Sequence, residues 1–359
     1  MNLYDLSHSE FEQLFSGWSE PRFRADQTWN GLYKTLWTQP SDFSTLPKDL
    51  RSKIEAAFTL SPITPDVRLH SSDGETEKML FRLAEGGAVE TVLMNYDRRR
   101  TLCISTQVGC AMGCTFCATG QMGFTRNLSS GEIIAQILHY EKQLALEGQH
   151  VTNVVFMGMG EPFHNYDNVI KAIDTLNTAD GLRFGARRFT ISTSGLVPKI
   201  RHFADETRQV NLAISLHATS DEKRSRMMPV NKRYPINELM EACRYYLEKT
   251  SRRITFEWAL IYDENDTEEE AHKLASLLKG MVCHVNTIPL NPTFGYNGKA
   301  TSPERAKRFK EILESNGIPC TIRLRRGIDI QAGCGQLASE RRSAENNEDR
   351  NVNNEEKPE

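Results

Sequence analysis

Three cysteines that stand within eight residues of one another are the first feature that could carry chemistry. They follow the spacing Cys110-x3-Cys114-x2-Cys117. A structural zinc site normally has four ligands, and an electron-transfer iron–sulfur cluster also uses four cysteines, but no fourth ligand stands nearby at a usual spacing. Three thiolates on one short loop can hold a [4Fe–4S] cluster and leave one iron open to a ligand. A zinc site completed by a distant histidine, or three unrelated thiols, is the alternative.

Glycines and polar side chains follow several of the hydrophobic runs that are typical of β-strands. Gly160 and Glu161 stand in the segment GMGEP. Glycine there lets a ligand approach the backbone, and the carboxylate can accept hydrogen bonds from an ammonium group. Each such residue could instead belong to a turn, and His217 could equally be a buried structural histidine. Together they predict a ligand-binding rim; the other members are Ser192, Ser215, Leu216, His217 and Asn291.

Two further cysteines lie outside the triplet. Cys103 precedes the triplet by seven residues, and Cys334 stands between Gly333 and Gly335 near the end of the chain. Flanking glycines remove packing and loosen the backbone. They therefore indicate a thiol on a loop that moves between two positions, rather than a cysteine packed in the core. A chance loop cysteine is the alternative. The remaining cysteines are expected to be small buried apolar residues: Cys243, Cys283 and Cys320.

The elements that must position these residues change in character along the chain. Residues 1–65 have apolar side chains at helical spacing and predict a small helical domain, and residues 66–100 predict a β-rich connecting segment. In residues 101–339, seven strand-like runs alternate with longer helical patterns, which predicts a parallel sheet with crossover helices. Six or so units are too few for a closed eight-stranded barrel. We therefore predict an α/β fold with a partial (β/α)6 barrel whose functional residues lie at the C-terminal strand ends.

The charge balance gives little information about partners until it is divided along the chain. The 359 residues include 44 Lys and Arg against 47 Asp and Glu, a net charge of −3. At face value this argues against a nucleic-acid partner, since such proteins are usually basic. The negative excess belongs to residues 340–359, whose composition predicts a disordered tail, and the neutral remainder can still carry a basic rim. The sequence has no apolar run of about 18 residues and no signal-peptide pattern, so we expect a cytoplasmic protein without membrane association.

Several segments together resemble the radical S-adenosylmethionine (radical-SAM) RNA methyltransferases of the RlmN/Cfr family, over residues 1 to about 340. They are Glu90-Thr91-Val92, TLCISTQVGCAMGCTFCATGQMGFTRNL, GMGEP, STSG, ISLHA and RRGIDIQAGCGQL. The resemblance implies a [4Fe–4S] cluster, two molecules of S-adenosylmethionine (SAM) per turnover, and methylation of an adenosine in the peptidyl-transferase centre of 23S ribosomal RNA. One branch methylates carbon 2 of adenine and also modifies the adenosine 3′ of the anticodon in some transfer RNAs. The segment CATGQMGFTRNL favours that branch.

The resemblance also implies a role for each matched residue. The cluster would be held by Cys110, Cys114 and Cys117. Cys334 would carry the methyl group as S-methylcysteine, Cys103 would resolve the RNA adduct through a transient disulfide with Cys334, and Glu90 would accept a proton. The SAM contacts would be Gly160, Glu161, Ser192, Ser215, Leu216, His217 and Asn291. Residues 1–65 resemble the accessory RNA-binding domain, the reductant would be a flavodoxin-like one-electron donor, and the enzyme would act as a monomer.

Basic residues recur in the predicted loops and could follow an RNA backbone if they share one rim. They are Arg98-Arg99-Arg100, Arg187-Arg188, Lys223-Arg224 with Arg226, Lys232-Arg233, Arg252-Arg253, and Arg323 with Arg325-Arg326. Two rival functions stay open. The first is methylation at carbon 8 of the same adenosine, the activity of the other branch. The second is a non-catalytic iron–sulfur or zinc RNA-binding protein, which would have no need of Glu90, Cys103 or Cys334.

Overall fold

The computed structural model describes residues 2–338, and the tail predicted for residues 340–359 lies outside that range. The strands are β1 Ile63–His70, β2 Thr76–Leu83, β3 Ala88–Tyr96, β4 Arg99–Cys103, β5 Gln107–Gly109, β6 Phe124–Asn127, β7 Asn153–Phe156, β8 Phe189–Thr193, β9 Asn211–Ser215, β10 Ile254–Leu260, β11 Cys283–Pro289 and β12 Cys320–Ile322. The α-helices are α1 His8–Gly17, α2 Arg22–Tyr33, α3 Lys48–Ala57, α4 Ala118–Gln121, α5 Ser130–Ala145, α6 Tyr166–Asn177, α7 Val197–Asp205, α8 Asp221–Met227, α9 Ile236–Thr250, α10 Glu268–Leu278 and α11 Pro303–Ser315.

Ten of the strands form one open sheet in the order β1-β2-β3-β4-β7-β8-β9-β10-β11-β12. The pairs from β1 to β4 are antiparallel, and every pair from β4 to β12 is parallel. Six strand–helix units run from β4 to α11 and end in β12. The partial (β/α)6 barrel predicted from the alternation is therefore confirmed, and the β-rich segment before it extends the same sheet. All C-terminal ends of the parallel strands meet at one edge, where a ligand site is expected.

The helices begin at sequence signals that could be recognised beforehand. Ser129 and Glu132 form a capping box at the start of α5, in which each side chain accepts the other's backbone N–H. Ser302 caps α11, whose first residue is Pro303.

α5 has 16 residues, and within residues 2–338 no helix is both long and apolar enough to cross a membrane.

The N-terminal helices pack directly on the barrel and share its hydrophobic core. The Asp5 carboxylate accepts hydrogen bonds from Ser130 Oγ (3.0 Å) and Gly131 N (2.6 Å) at the N-terminus of α5. A carboxylate is favoured there because the first N–H groups of a helix lack partners within the helix. Position 131 must be glycine, because an added Cβ would lie 2.9 Å from Asp5 N and would clash with the Asn2 side chain.

The first barrel strand differs from the expected residues 102–106, since β4 covers Arg99–Cys103. At Ser105 the buried Gln136 side chain takes the place of a neighbouring strand as hydrogen-bond partner, so β4 ends before this residue. Gln136 Oε1 accepts from Ser105 N (2.9 Å), and Gln136 Nε2 donates to Ser105 O (3.0 Å). The small antiparallel sheet of β5 and β6 that follows was not predicted. The core cysteines were predicted correctly: Cys243, Cys283 and Cys320 are all buried.

Candidate active site

The three clustered cysteines lie on the loop between β5 and α4, and all three line one cavity. The loop begins where Cys110 N donates to Gly123 O (2.8 Å), next to the β5–β6 ladder.

Burial keeps these thiols protonated when no metal is bound. Burial raises the pKa of Cys110 to about 12 and the pKa of Cys114 well above its usual value. The neighbouring cysteines raise the pKa of Cys114 further, by a smaller effect. Burial also raises the pKa of Cys117. Metal ligands must be thiolates, so loading a cluster here would release protons.

The cavity beside the cysteine loop, which we call the rim cavity, encloses about 960 Å³ of empty space, including the part open to solvent. The structure brings six of the seven predicted SAM contacts together around it, from the ends of four strands: Gly160, Glu161, Ser192, Ser215, His217 and Asn291.

Leu216 is the exception, since its side chain is buried in the core rather than lining the rim cavity. Its carbonyl accepts a hydrogen bond from Arg224 Nε (3.0 Å). Arg224 is fully buried, and its Nη2 also donates to Ser194 O (2.6 Å) and Ser215 O (3.0 Å). Burial lowers the pKa of Arg224 to about 10, so it stays charged at neutral pH. The expectation that Arg224 belongs to a basic RNA-facing loop is wrong, because this guanidinium holds strand ends together.

Glu161 is held in place by backbone groups of two neighbouring segments. Its carboxylate accepts hydrogen bonds from Phe163 N (3.0 Å) and Ser194 N (2.7 Å), while burial raises its pKa. Gly160 has φ +102°, and a Cβ at this position would lie 2.6 Å from Gln107 Cβ. Only glycine fits there without strain, so the GMGEP segment presents bare backbone and a fixed carboxyl group to the cavity.

His217 is a neutral hydrogen-bond donor at the rim cavity. Its Nδ1 accepts a hydrogen bond from Ala259 N (2.9 Å), which leaves the proton on Nε2. Burial, followed by the charge of Arg224, lowers the pKa of His217 to about 3. The ring packs edge-to-face on Phe116 of the cysteine loop, with centroids 5.0 Å apart.

Two buried polar atoms around the rim cavity have no hydrogen-bond partner within the described residues, Glu257 Oε2 and Asn291 Oδ1, although Arg323 Nη1 stands 4.0 Å from Glu257 Oε2. Buried polar atoms are normally satisfied, so both oxygens can accept a hydrogen bond from a ligand. Together with the three thiols, this donor set fits a [4Fe–4S] cluster with SAM beside it. Glu257 was not predicted, because within β10 it reads as an ordinary strand residue.

Cys334 is exposed on the loop that follows β12, and side chains from elsewhere tie this loop down. Asn291 Nδ2 donates to Cys334 O (3.0 Å), and Thr119 Oγ1 donates to Leu337 O (2.6 Å). These bonds hold the loop against the end of β11 and against α4, which begins directly after the last cysteine of the triplet. The predicted methyl carrier therefore stands next to the predicted cluster ligands.

A second cavity, which we call the thiol cavity, has about 530 Å³ of empty space, including the part open to solvent, and is lined by both Cys103 and Cys334. Four residues line both cavities: Met157, Ile288, Asn291 and Cys334. Burial, with a smaller effect from Cys334, raises the pKa of Cys103 to about 12. All eight cysteines are free thiols, so the disulfide expected between Cys103 and Cys334 is not present in this structure.

Glu90 lies on β3 and is buried beside the Cys334 loop. Lys78 Nζ stands 2.9 Å from its Oε1, and Ala338 N donates to its Oε2 (2.9 Å). Lys78 also donates to Gln331 O (3.4 Å), three residues before Cys334. The structure thus brings the predicted proton acceptor to the segment that carries the predicted nucleophile.

Known proteins are similar to this chain over nearly its full length. Residues 1–60 match the model of the ribosomal RNA large subunit methyltransferase N-terminal domain, and residues 104–275 match the radical SAM superfamily. The dual-specificity RNA methyltransferase RlmN 1 of Myxococcus xanthus is 50% identical over 344 residues, which cover 95% of this chain and 96% of that protein. A probable RlmN of Dictyoglomus thermophilum is 46% identical over 94% of this chain and 96% of its own length.

A solved structure has the same fold over nearly its full length. The crystal structure of a radical SAM methyltransferase from Sphaerobacter thermophilus superposes with a TM-score of 0.92 at 49% identity, covering 94% of this chain and 99% of that one. The cysteine loop, the rim cavity and the free thiols therefore stand in a known framework. Because it is 50% identical to a relative over 95% of its length, this chain belongs to the radical-SAM RNA methyltransferases of the RlmN family.

Proposed function

We propose that this protein methylates carbon 2 of an adenosine in the peptidyl-transferase centre of 23S ribosomal RNA, and the adenosine 3′ of the anticodon in some transfer RNAs. The observation that carries the proposal is the position of Cys334, which lines both the rim cavity and the thiol cavity. A methyl group on this sulfur can be loaded at the first and delivered at the second. The dual-specificity names of the relatives support both RNA substrates.

A protein-bound carrier is needed because of the target atom. Carbon 2 of adenine is an electron-poor ring carbon without a nucleophilic lone pair, so it cannot displace a methyl group from SAM directly. A cysteine thiolate can, and Cys334 is the exposed thiol of the site. Arg323, a cation, lines the thiol cavity together with Cys334.

The residues of the rim cavity would hold the cofactors. Cys110, Cys114 and Cys117 would bind the cluster, and the SAM contacts would come from Gly160, Glu161, Ser192, Ser215, His217 and Asn291. When bound, SAM would supply the methyl group, and SAM together with the cluster would supply the radical chemistry that abstracts hydrogen. Two molecules of SAM would serve each turnover. Leu216 acts indirectly, since its backbone carbonyl is bound by Arg224. A flavodoxin-like donor would supply the electron, and we expect a monomer.

The remaining steps belong to side chains of this chain. Cys334 accepts the methyl group and later links its carbon to the adenine. Glu90, which Lys78 positions by an ion pair of 2.9 Å, accepts the proton that leaves carbon 2. Cys103 attacks the Cys334 sulfur and frees the methylated base, and the sulfur–sulfur bond formed in that step is reduced by an external thiol.

The proposal is tested by anaerobic reconstitution with iron, sulfide, SAM, a reductant and a 23S rRNA fragment. Mass spectrometry and NMR of the nucleosides are expected to give 2-methyladenosine from the wild type and from the control Cys283→Ala. Cys334→Ala is expected to give none, although it still binds the cluster and SAM. 8-Methyladenosine would assign the other branch's activity, and no methyladenosine with no 5′-deoxyadenosine would indicate a non-catalytic RNA-binding protein.

A further inference from the structure

The four residues that follow β12, Arg323-Leu324-Arg325-Arg326, form one edge of the thiol cavity, and we call them the edge segment. Leu324 is 82% exposed although its side chain is entirely apolar. Single exposed leucines are common on protein surfaces and need no explanation by themselves. This one lines the cavity that holds Cys103 and Cys334, and arginines stand on both sides of it in the chain.

The edge segment is held in place at both ends. Arg323 N donates to Thr287 O (2.8 Å), which continues the pairing of β12 with β11. Arg326 Nη1 donates to Asn95 O (3.1 Å) at the end of β3, and its guanidinium lies 4.5 Å from the Tyr96 ring centroid. Leu324 is therefore presented to solvent by a fixed backbone rather than by an unanchored loop.

The surroundings of Leu324 are cationic and aromatic. Arg99 also lies over the Tyr96 ring, at 4.3 Å, so two guanidinium groups contact one tyrosine at the same edge. Arg99 and Arg325 are exposed. Tyr96, Arg99 and Leu324 line one common pocket. Exposed arginines beside an aromatic ring match a nucleic-acid backbone, and a fixed apolar side chain beside them matches the space between two stacked bases.

An enzyme that acts on a base must take that base out of its stack. We propose that Leu324 is the wedge that separates the target adenosine from its neighbour in the RNA, while Arg99 and Arg325 bind the flanking phosphates. The inference rests on the proposed function and adds the part of the surface that opens the stack. The extruded base would then lie against the apolar side chains that line the thiol cavity together with Leu324: Val92, Met94, Met157, Ile288 and Leu337.

The test uses the full-length, reconstituted enzyme and an RNA stem–loop that carries 2-aminopurine at the target position, whose fluorescence rises when it unstacks. Wild-type enzyme is expected to raise the fluorescence, and Leu324→Ala is expected to abolish most of this rise. The matched control is Leu146→Ala, which removes an equally exposed leucine (87%) just after α5 and is expected to behave like wild type.

Methylation gives the second readout. With the natural stem–loop, Leu324→Ala is expected to lower kcat/KM about tenfold or more, because opening a stack costs a few kcal/mol. The loss is expected to be smaller on an unstructured oligonucleotide of the same sequence, where there is no stack to open. A merely structural role of Leu324 would lower activity on both RNAs alike.

The phosphate contacts are tested by salt dependence. Each lost contact lowers the slope of log affinity against log salt by about 0.7 to 0.9, so Arg325→Gln is expected to reduce the slope and Leu324→Ala to leave it unchanged. The inference is overturned if Leu324→Ala matches Leu146→Ala in both fluorescence and methylation, or if it loses activity equally on both RNAs. Failure of the proposed function is separate, since then the wild type itself makes no methyladenosine.

Discussion

Release of the methylated RNA should depend steeply on pH, because the thiol that we propose performs it, Cys103, is buried. Burial raises the pKa of Cys103 to about 12, and only the thiolate attacks sulfur. At pH 8 about one molecule in ten thousand then carries the Cys103 thiolate. Because the pH lies below this pKa, the thiolate fraction and the release rate should both rise about tenfold per pH unit between about pH 6 and pH 9.

The assay follows the covalent adduct between protein and RNA in a single turnover. End-labelled RNA is mixed with enzyme already methylated at Cys334, samples are denatured at intervals, and gels resolve the adduct from free RNA. Low pH should make the adduct accumulate, and high pH should make it decay quickly. Cys103→Ala should hold the adduct at every pH. Cys320→Ala is the control, since that thiol is also buried, with its pKa raised to about 11, but lies away from the thiol cavity.

Two results would refute this reasoning in different ways. An adduct that decays at the same rate from about pH 6 to pH 9 would mean that a neighbouring base removes the Cys103 proton within the rate-limiting step or earlier. The base to examine would then be Glu90, on the strand that pairs with β4. No adduct at any pH with Cys103→Ala would mean that Cys103 is not the resolving thiol.

Further variants test the parts of the fold that hold the site. Arg224→Met leaves three buried carbonyls without their charged donor and should lower the free energy of unfolding by about 3 kcal/mol, measured by urea denaturation, whereas the exposed Arg226→Met should change it by less than about 0.5 kcal/mol. Gly131→Ala drives a methyl group into the N-terminal contact and should cost about 2 kcal/mol, while Gly17→Ala, with open space around it, should cost less than about 0.5 kcal/mol. Cys114→Ala should abolish the visible absorbance of the reconstituted cluster without unfolding the chain, as checked by circular dichroism.

Much of the site could be predicted from the sequence because its signals are local and the sheet brings them together. The spacing of the cysteine triplet is a property of eight consecutive residues. The residues at the strand ends, such as Gly160, Ser215 and Asn291, are far apart in the chain. They meet because consecutive parallel strands end at the same edge, and a regular alternation of strands and helices is enough to predict that edge.

Arg224 and Glu257 show what a single sequence does not reveal. Arg224 stands next to Lys223, and the pair looks like a solvated basic segment. In the structure the two side chains have different partners. Lys223 forms an ion pair with Glu270 at 2.6 Å, whereas Arg224 is fully buried and donates hydrogen bonds to the carbonyls of separate strand ends. Backbone carbonyls have no sequence signature, so a residue whose partners are backbone groups of distant strands can be found only in the fold.

The burial that raises the pKa of Cys103 also makes it a poor nucleophile before turnover. A disulfide between Cys103 and Cys334 at that stage, which would need an oxidant, would consume the sulfur that we propose carries the methyl group. Cys334 is exposed and lines the rim cavity, where it can be methylated. Cys103 is buried in β4 as a neutral thiol, and neutral thiols are poor nucleophiles. In the proposed reaction, this difference in accessibility would allow Cys334 to be methylated first and would leave Cys103 to attack the sulfur of the adduct.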